Sequence, residues 1–166
     1  EQCRYLVRRP NEIFLVEGAT VPNRPQNEET NLSQEALLNQ PDHVPHRPLK
    51  DPRTILMLDP ACGSMHFGLY AFDLFEVIYQ EAWEISQPEH PLHASAKSSP
   101  AFAPFIDWLG SVRSHQEFAT QVPRFIIEHN LHGIDIDPRC AQIAGLSLWL
   151  RAQKAWQQLG LDPLGD

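Results

Sequence analysis

The chain has 166 residues, 42% of them hydrophobic, with a formal net charge of −8. That is enough chain to bury one core, and an acidic balance does not by itself advertise a nucleic-acid surface. No run of about 18 apolar residues exists, so no membrane span is expected; Cys3, Cys62 and Cys140 are odd in number, which argues against a disulfide framework and fits a reducing cytoplasm.

The N-terminus, Glu1-Gln2-Cys3-Arg4, has neither an initiator Met nor an apolar signal core, so the chain reads as a piece of a longer protein. Two short apolar runs follow, Cys3–Val7 and Ile13–Val16, broken by Pro10 and Asn11. Each fits a strand or the end of a helix. From Thr20 to Pro52 the composition shifts to Asn, Gln, Glu and Pro. Only Ser33 to Asn39 reads as helix, with Ser33 as its cap. The rest is expected to be loop, and residues 1–52 a loop-rich lead-in to the domain.

The first strand is expected at Arg53–Leu58. Its run Ile55-Leu56-Met57-Leu58 does not alternate, which suits a parallel strand covered on both faces. The strand ends at Asp59, and a turn containing Gly63 follows. A helix then runs from about His66 to Ser86. Phe67, Ala71, Leu74, Ile78, Ala82 and Ile85 form its inward side. Asp73, Glu76, Gln80 and Glu84 form a solvated acidic side. Strand, glycine turn and helix in that order build ligand pockets in α/β sheets, because the helix start offers unpaired N–H groups. The same shape also fits an ordinary turn that needs glycine only for its backbone.

Gln87 to Pro104 reads as loop. One short helix is expected around Phe105, Ile106, Trp108 and Leu109. Ser114-His115-Gln116-Glu117 has the form of a capping box and starts another helix. Pro123 either kinks that helix or opens a new turn. Asn130 can close it. Residues 87–130 are thus an insertion within a domain at 53–166.

Leu131–Asp137 holds a second strand, with Ile134 and Ile136 between polar residues. Asp137-Pro138 starts the last helix, a capping carboxylate followed by proline at the first position. The helix runs to about Leu159, lined on one side by Ala141, Ala144, Leu148, Ala152 and Ala155, and ends at Gly160. These small residues imply close packing on the sheet.

In an open α/β sheet Asp59 and Asp135 then sit side by side at one edge. A carboxylate at the second position can take both hydroxyls of a ribose. Their separation, 76 positions, far exceeds the ~20 of a dinucleotide fold, and the insertion accounts for the excess. The alternative for Asp135 is a strand-end residue bonded to a backbone turn.

These residues carry a resemblance. Leu58-Asp59-Pro60-Ala61-Cys62-Gly63-Ser64 resembles motif I of the adenine-specific DNA methyltransferases that use S-adenosylmethionine, and His132-Gly133-Ile134-Asp135-Ile136-Asp137-Pro138 resembles their motif II. The surrounding words, His66-Phe67 and Glu128-His129-Asn130-Leu131 among them, are similar to the BREX-type PglX enzymes of phage defence and to related restriction–modification fusions. The resemblance covers roughly residues 50–160. It implies an incomplete Rossmann-like α/β fold, the N-terminal part of the methyltransferase sheet. Pro60, Ala61, Cys62 and Gly63 would cradle the methionine part of S-adenosylmethionine, with Asp59 beside it. Asp135 would hold the ribose hydroxyls, and Ile136 would pack on the adenine. The usual pattern continues Gly-Ser-Gly, whereas this chain has Met65, a side chain expected to narrow the pocket.

No Asn-Pro-Pro-Tyr or Asp-Pro-Pro-Tyr string occurs, the family's holder of the flipped adenine, so no catalytic residue is assigned. The resemblance implies the cofactor-binding part of a cytoplasmic, site-specific DNA adenine-N6 methyltransferase of a restriction–modification or phage-defence system. DNA would be bound through parts outside this chain, and the remainder of the methyltransferase domain would complete the sheet. The alternatives are a non-catalytic cofactor-binding remnant, or a methyltransferase acting on RNA or protein. The pairs His43/His46, His90/His93 and His129/His132 lack the further ligands a metal needs. Trp83, Trp108, Trp149 and Trp156 are expected to pack in the core.

Overall fold

A computed structural model of the chain describes residues 11–15, 20–21, 33–45 and 49–161. The apolar run at Cys3–Val7 lies outside the described residues. The chain divides into two compact units, Glu1–Pro48 and Leu49–Asp166.

In the first unit, β1 (Glu12–Leu15) and β2 (Asp42–Pro45) pair in parallel, Phe14 opposite Val44. The run at Ile13 is therefore a strand. The short helix α1 (Gln34–Leu38) starts where expected, with Ser33 Oγ accepting from the Ala36 N–H at 3.2 Å. β2 replaces part of the expected loop. Its sequence, Asp-His-Val-Pro, gives no alternation to read, and pairing with β1 supplies the order.

In the second unit the chain enters through a 3₁₀ turn at Pro52–Thr54, not the expected strand. Asp51 caps this turn by accepting from the Arg53 N–H, and Pro52 presets its first position. The strand proper, β3, is only Met57–Asp59, and it pairs in parallel with β4 (Leu131–Gly133). Ile134 and Ile136 lie beyond β4 and are exposed. The pairs Met57–Leu131 and Asp59–Gly133 share one face of this ribbon, with Leu58 and His132 on the other. The first face is covered by α2 (His66–Ser86). Leu58 on the second is 57% exposed, so the ribbon is covered on one face, not both, among the described residues.

Helix α2 has its expected bounds, and Ala71, Ala82 and Ile85 of its expected inward side are buried, but the buried face is centred on Phe72, Phe75 and Tyr79 rather than on Phe67 and Leu74. Its buried residues include Gly68, Ala71, Phe72, Phe75, Tyr79 and Ala82. Phe67 is 77% exposed, and Leu74 is also exposed. The acidic side is not merely solvated, since Arg151 of α6 (Pro138–Gln158) bonds both Asp73 and Glu76. That ion pair and the Arg151 guanidinium over the Phe72 ring, 4.7 Å from its centroid, fix the rotation of α2 against α6.

The stretch 87–104 is not all loop. Helix α3 (His93–Ser98) folds there, whereas α4 (Ala103–Leu109) is the short helix expected around Phe105 and α5 (His115–Phe125) is the one expected after Ser114. Ser114 caps α5 as its capping box requires, with the Glu117 N–H on its Oγ at 3.1 Å. Glu117 reaches back to the Arg113 N–H rather than to that of Ser114. Pro123 sits inside α5, which passes directly into one π turn, Ile126–Asn130. These helices supply the aromatic core: Phe102, Phe105 and Phe118 are fully buried, Phe105 and Phe125 lie against Tyr79, and Trp83 stacks on Phe118 at 4.8 Å. Each such side chain contributes roughly 1.5–3 kcal/mol on leaving water. The stretch 87–130 thus supplies much of the unit's core.

Helix α6 begins and ends as its sequence implies. Asp137 accepts from the Arg139 N–H at 2.9 Å, and Gly160 takes φ +75° after the last turn. Ala144, Ala152 and Ala155 are buried, Ala141 is not, and the helix packs chiefly on α2 and α5 rather than on the sheet. Trp156 donates to the Thr120 carbonyl at 2.9 Å. Trp149, expected in the core, is exposed. No helix among the described residues is long and apolar enough to cross a membrane.

Candidate cofactor-binding loop

The loop Pro60–Met65 leaves the end of β3 and is tied to the end of β4 rung by rung. The Ile134 N–H bonds the Asp59 carbonyl at 2.9 Å, and the Cys62 N–H bonds the Ile134 carbonyl at 3.0 Å. These bonds prolong the parallel ladder past the strand ends. The Asp59 side chain turns back on its own loop, where Oδ1 accepts from the Ala61 N–H at 3.1 Å. Gly63 follows at φ +52°, a conformation open to glycine at no strain, and a Cβ there would meet nothing within 4 Å. The outer side of the loop is therefore open at Gly63.

Asp135 links the two motifs. Its Oδ2 accepts from the Gly63 N–H at 2.8 Å and its Oδ1 from the Asp137 N–H at 2.9 Å. Each carboxylate oxygen has two lone pairs, so each keeps one for a further donor. The Asp135 side chain thus bonds to backbone turns and retains capacity for two hydroxyls at once.

Helix α2 starts just beyond the loop. Its cap residue Met65 has φ +66° and offers no side-chain bond to the first turn, so the helix end presents donors without a protein cap. Ser64 Oγ and His66 Nδ1 are paired at 2.9 Å beside it. Cys62 is buried, whereas Pro60 and Ala61 are exposed. Ile136 is fully exposed, at 101%, and forms no wall with any described residue. Met65 departs from expectation: its side chain does not narrow the open side, since it is 1% exposed and points into the core.

The charges nearby are ordered by α6. Arg139 holds Asp137 below the usual carboxylate range through its side chain and its N–H. Desolvation, then the neighbouring charges of Asp135 and Asp137, push the Cys140 thiol above its ordinary value. Cys62 and Cys140 are both free thiols. Among the described residues no group of three or more His, Cys, Asp or Glu converges as a metal site. A groove of about 440 Å³, lined by Trp83 at the end of α2 and by Ile106, Leu109 and Arg113, shares no residue with the loop.

One element escapes local sequence reading. Asn130 is fully buried, with its Nδ2 donating to the carbonyls of Pro52 at 2.7 Å and Ile55 at 2.8 Å. Its Oδ1 accepts from the Tyr79 hydroxyl at 3.0 Å. This latch fixes the lead-in to β3 against the lead-in to β4, and so fixes the register of both loops. Asn130 follows Glu128 and His129 in the sequence, so nothing local marks it as the buried one of the three.

Comparison with known proteins gives one partial relationship. The chain is 27% identical over 104 residues to the adenine-specific methyltransferase BrxX of Escherichia coli O9:H4 (strain HS). The match takes in 63% of this chain and 6% of that protein. It supports a methyltransferase relationship. No family model and no solved structure matches. The short parallel strands with helices between them are consistent with part of a Rossmann-like fold.

Proposed function

We propose that this chain is the S-adenosylmethionine-binding part of a DNA adenine-N6 methyltransferase of a restriction–modification or phage-defence system. The observation that carries the reading is Asp135, which closes on the Gly63 N–H while keeping one free lone pair on each oxygen. The sequence relationship to an adenine-specific methyltransferase points the same way. Asp135 would hold the ribose hydroxyls, and the Pro60–Gly63 backbone would line the methionine part. The uncapped start of α2 suits a carboxylate, because the helix dipole is positive there. The exposed Ile136 is free to lie against the adenine. The bound cofactor would supply an activated methyl group, and this chain would fix its position.

Capture of the target base and proton removal fall to residues outside this chain, since it has no Asn-Pro-Pro-Tyr or Asp-Pro-Pro-Tyr string. The exposed apolar side chains Leu58, Tyr70, Ile143 and Leu146 favour a partner surface, and we assign it to the remainder of the methyltransferase domain. DNA contact would likewise come from the larger protein.

Calorimetry with S-adenosylmethionine on the intact chain tests the reading. Binding is expected, and Asp135→Ala should weaken it by at least ~1.4 kcal/mol, a factor of ten. Absence of binding at millimolar cofactor by a folded chain defeats the proposal, and an unchanged affinity in the variant defeats the ribose assignment.

A further inference from the structure

We infer that Met65 is a positioning residue for the glycine loop, anchoring it from behind so that Gly63 reaches Asp135. This rests on the cofactor reading above for its consequence, though not for its geometry. A Cβ on Gly68 would stand 2.5 Å from Met65 Cγ and 2.6 Å from its Cε. A Cβ on Gly133 would stand 3.1 Å from Met65 Sδ and 3.0 Å from Cys62 Sγ. The methionine therefore lies across the first turn of α2 and the end of β4, in space that both glycines leave empty.

Gly68 is otherwise out of place, since glycine is a poor helix former. Close approach of Met65 accounts for it. Met65 itself stands at φ +66°, a left-handed conformation that disfavours side chains. A glycine there would take that conformation freely but would bury nothing. Burial of the methionine holds the turn instead, and the Met65 N–H closes it on the Cys62 carbonyl at 2.7 Å. Cys62 and Met65 thus anchor the loop on its inner side, and Gly63 between them faces open space on the outer side.

The test is amide hydrogen exchange in the intact chain, read at Gly63 and at a core amide such as Phe118, alongside melting curves and titration with S-adenosylmethionine. Met65→Ala and Met65→Gly should speed exchange at Gly63 by about tenfold or more relative to Phe118. Met65→Leu, which restores bulk, should leave that ratio near the unsubstituted value. Adding Gly68→Ala to Met65→Gly should recover part of the protection, because the new methyl enters the vacated space, whereas Gly68→Ala alone should disturb the loop. Cofactor affinity should follow the Gly63 ratio and not the melting temperature. If Gly63 and Phe118 lose protection equally, or if Gly68→Ala rescues nothing, the inference is overturned. Failure of the unsubstituted chain to bind S-adenosylmethionine overturns the cofactor reading alone, and exchange still decides the anchor.

Discussion

The Tyr79 hydroxyl donates to Asn130 Oδ1 at 3.0 Å in the interior of the second unit, joining α2 to the residue immediately before β4. Asn130→Ala would leave the Ile55 carbonyl and this hydroxyl without their partner, while the Pro52 carbonyl keeps the Ile55 N–H. Leaving buried groups unpaired costs about 1–3 kcal/mol each, so denaturant titration should show a loss of about 2 kcal/mol or more. Tyr79→Phe removes one donor and should cost less. A larger loss in the Phe variant than in the Ala variant would contradict the latch.

The same tyrosine gives the fold an alkaline limit. Burial first, and then the charge of Asp51, push its hydroxyl well above the ordinary tyrosine range. The folded state therefore keeps a proton that the unfolded state releases from pH ~10 upward, and stability falls as pH rises, by up to ~1.4 kcal/mol per unit. Tyr79→Phe should flatten that limb. Cys140 is also raised and contributes with the same sign from a lower pH, so the comparison belongs in a Cys140→Ser background.

Arg53 should tolerate no neutral replacement. Its guanidinium chelates the buried Asp51, with Nη2 at 2.6 Å, and lies over Trp108, 5.1 Å from the ring centroid. Arg53→Met would leave Asp51 with only a backbone donor. Breaking a buried pair from one side costs ~3–5 kcal/mol, and melting curves should shift accordingly. Asp51→Asn with Arg53 intact should cost less, because an oxygen acceptor remains.

Glu76 behaves differently, since its carboxyl is held above the usual range by desolvation, which outweighs the nearby Arg151. A raised carboxyl contributes stability that is present below its unfolded pKa and lost as pH rises through the folded value. Glu76→Gln keeps an oxygen for Arg151 and removes that loss. Its melting temperature relative to the unsubstituted chain should therefore improve from pH 4 to pH 7, and a decline would count against this account.

The outward apolar side chains of α2 and α6 should govern association. Phe67 and Tyr70 on one helix, and Ile143 and Leu146 on the other, are exposed. A Tyr70→Glu, Leu146→Glu variant should self-associate less by light scattering and bind less hydrophobic dye, with little change in stability.

The ends of α6 were legible because a carboxylate cap, proline and glycine act locally, and α2 was bounded by its apolar period alone after the Gly63 turn. The face of α2 was legible in part, since Ala71, Ala82 and Ile85 lie inward as their spacing implies. A period of three and four fitted both Phe67-Leu74 and Phe72-Tyr79, and contacts from other helices, Arg151 over Phe72 among them, go with the second. Helix α3, His-Ala-Ser-Ala-Lys-Ser, carries no apolar stripe to read. At the site, strand, glycine turn and helix set Asp59 and Asp135 near one edge of the ribbon. The bond from Gly63 to Asp135 spans 72 positions, beyond any local pattern. The inward aim of Met65 depended on Gly68 and Gly133 together, which only the fold brings side by side.

That long span also orders events in time. Closing an open loop of this length is entropically unfavourable, and non-local contacts of this kind slow folding. Here the intervening chain is itself folded, for α4 and α5 pack their aromatic rings on Tyr79 and Trp83. Their docking shortens the path that β4 must travel to meet β3. A chain extending only as far as His129 holds the aromatic residues of α4 and α5 but not the parallel neighbour of Met57–Asp59. The loop Pro60–Met65, tied to the end of β4, is therefore expected to become rigid only after those helices have docked.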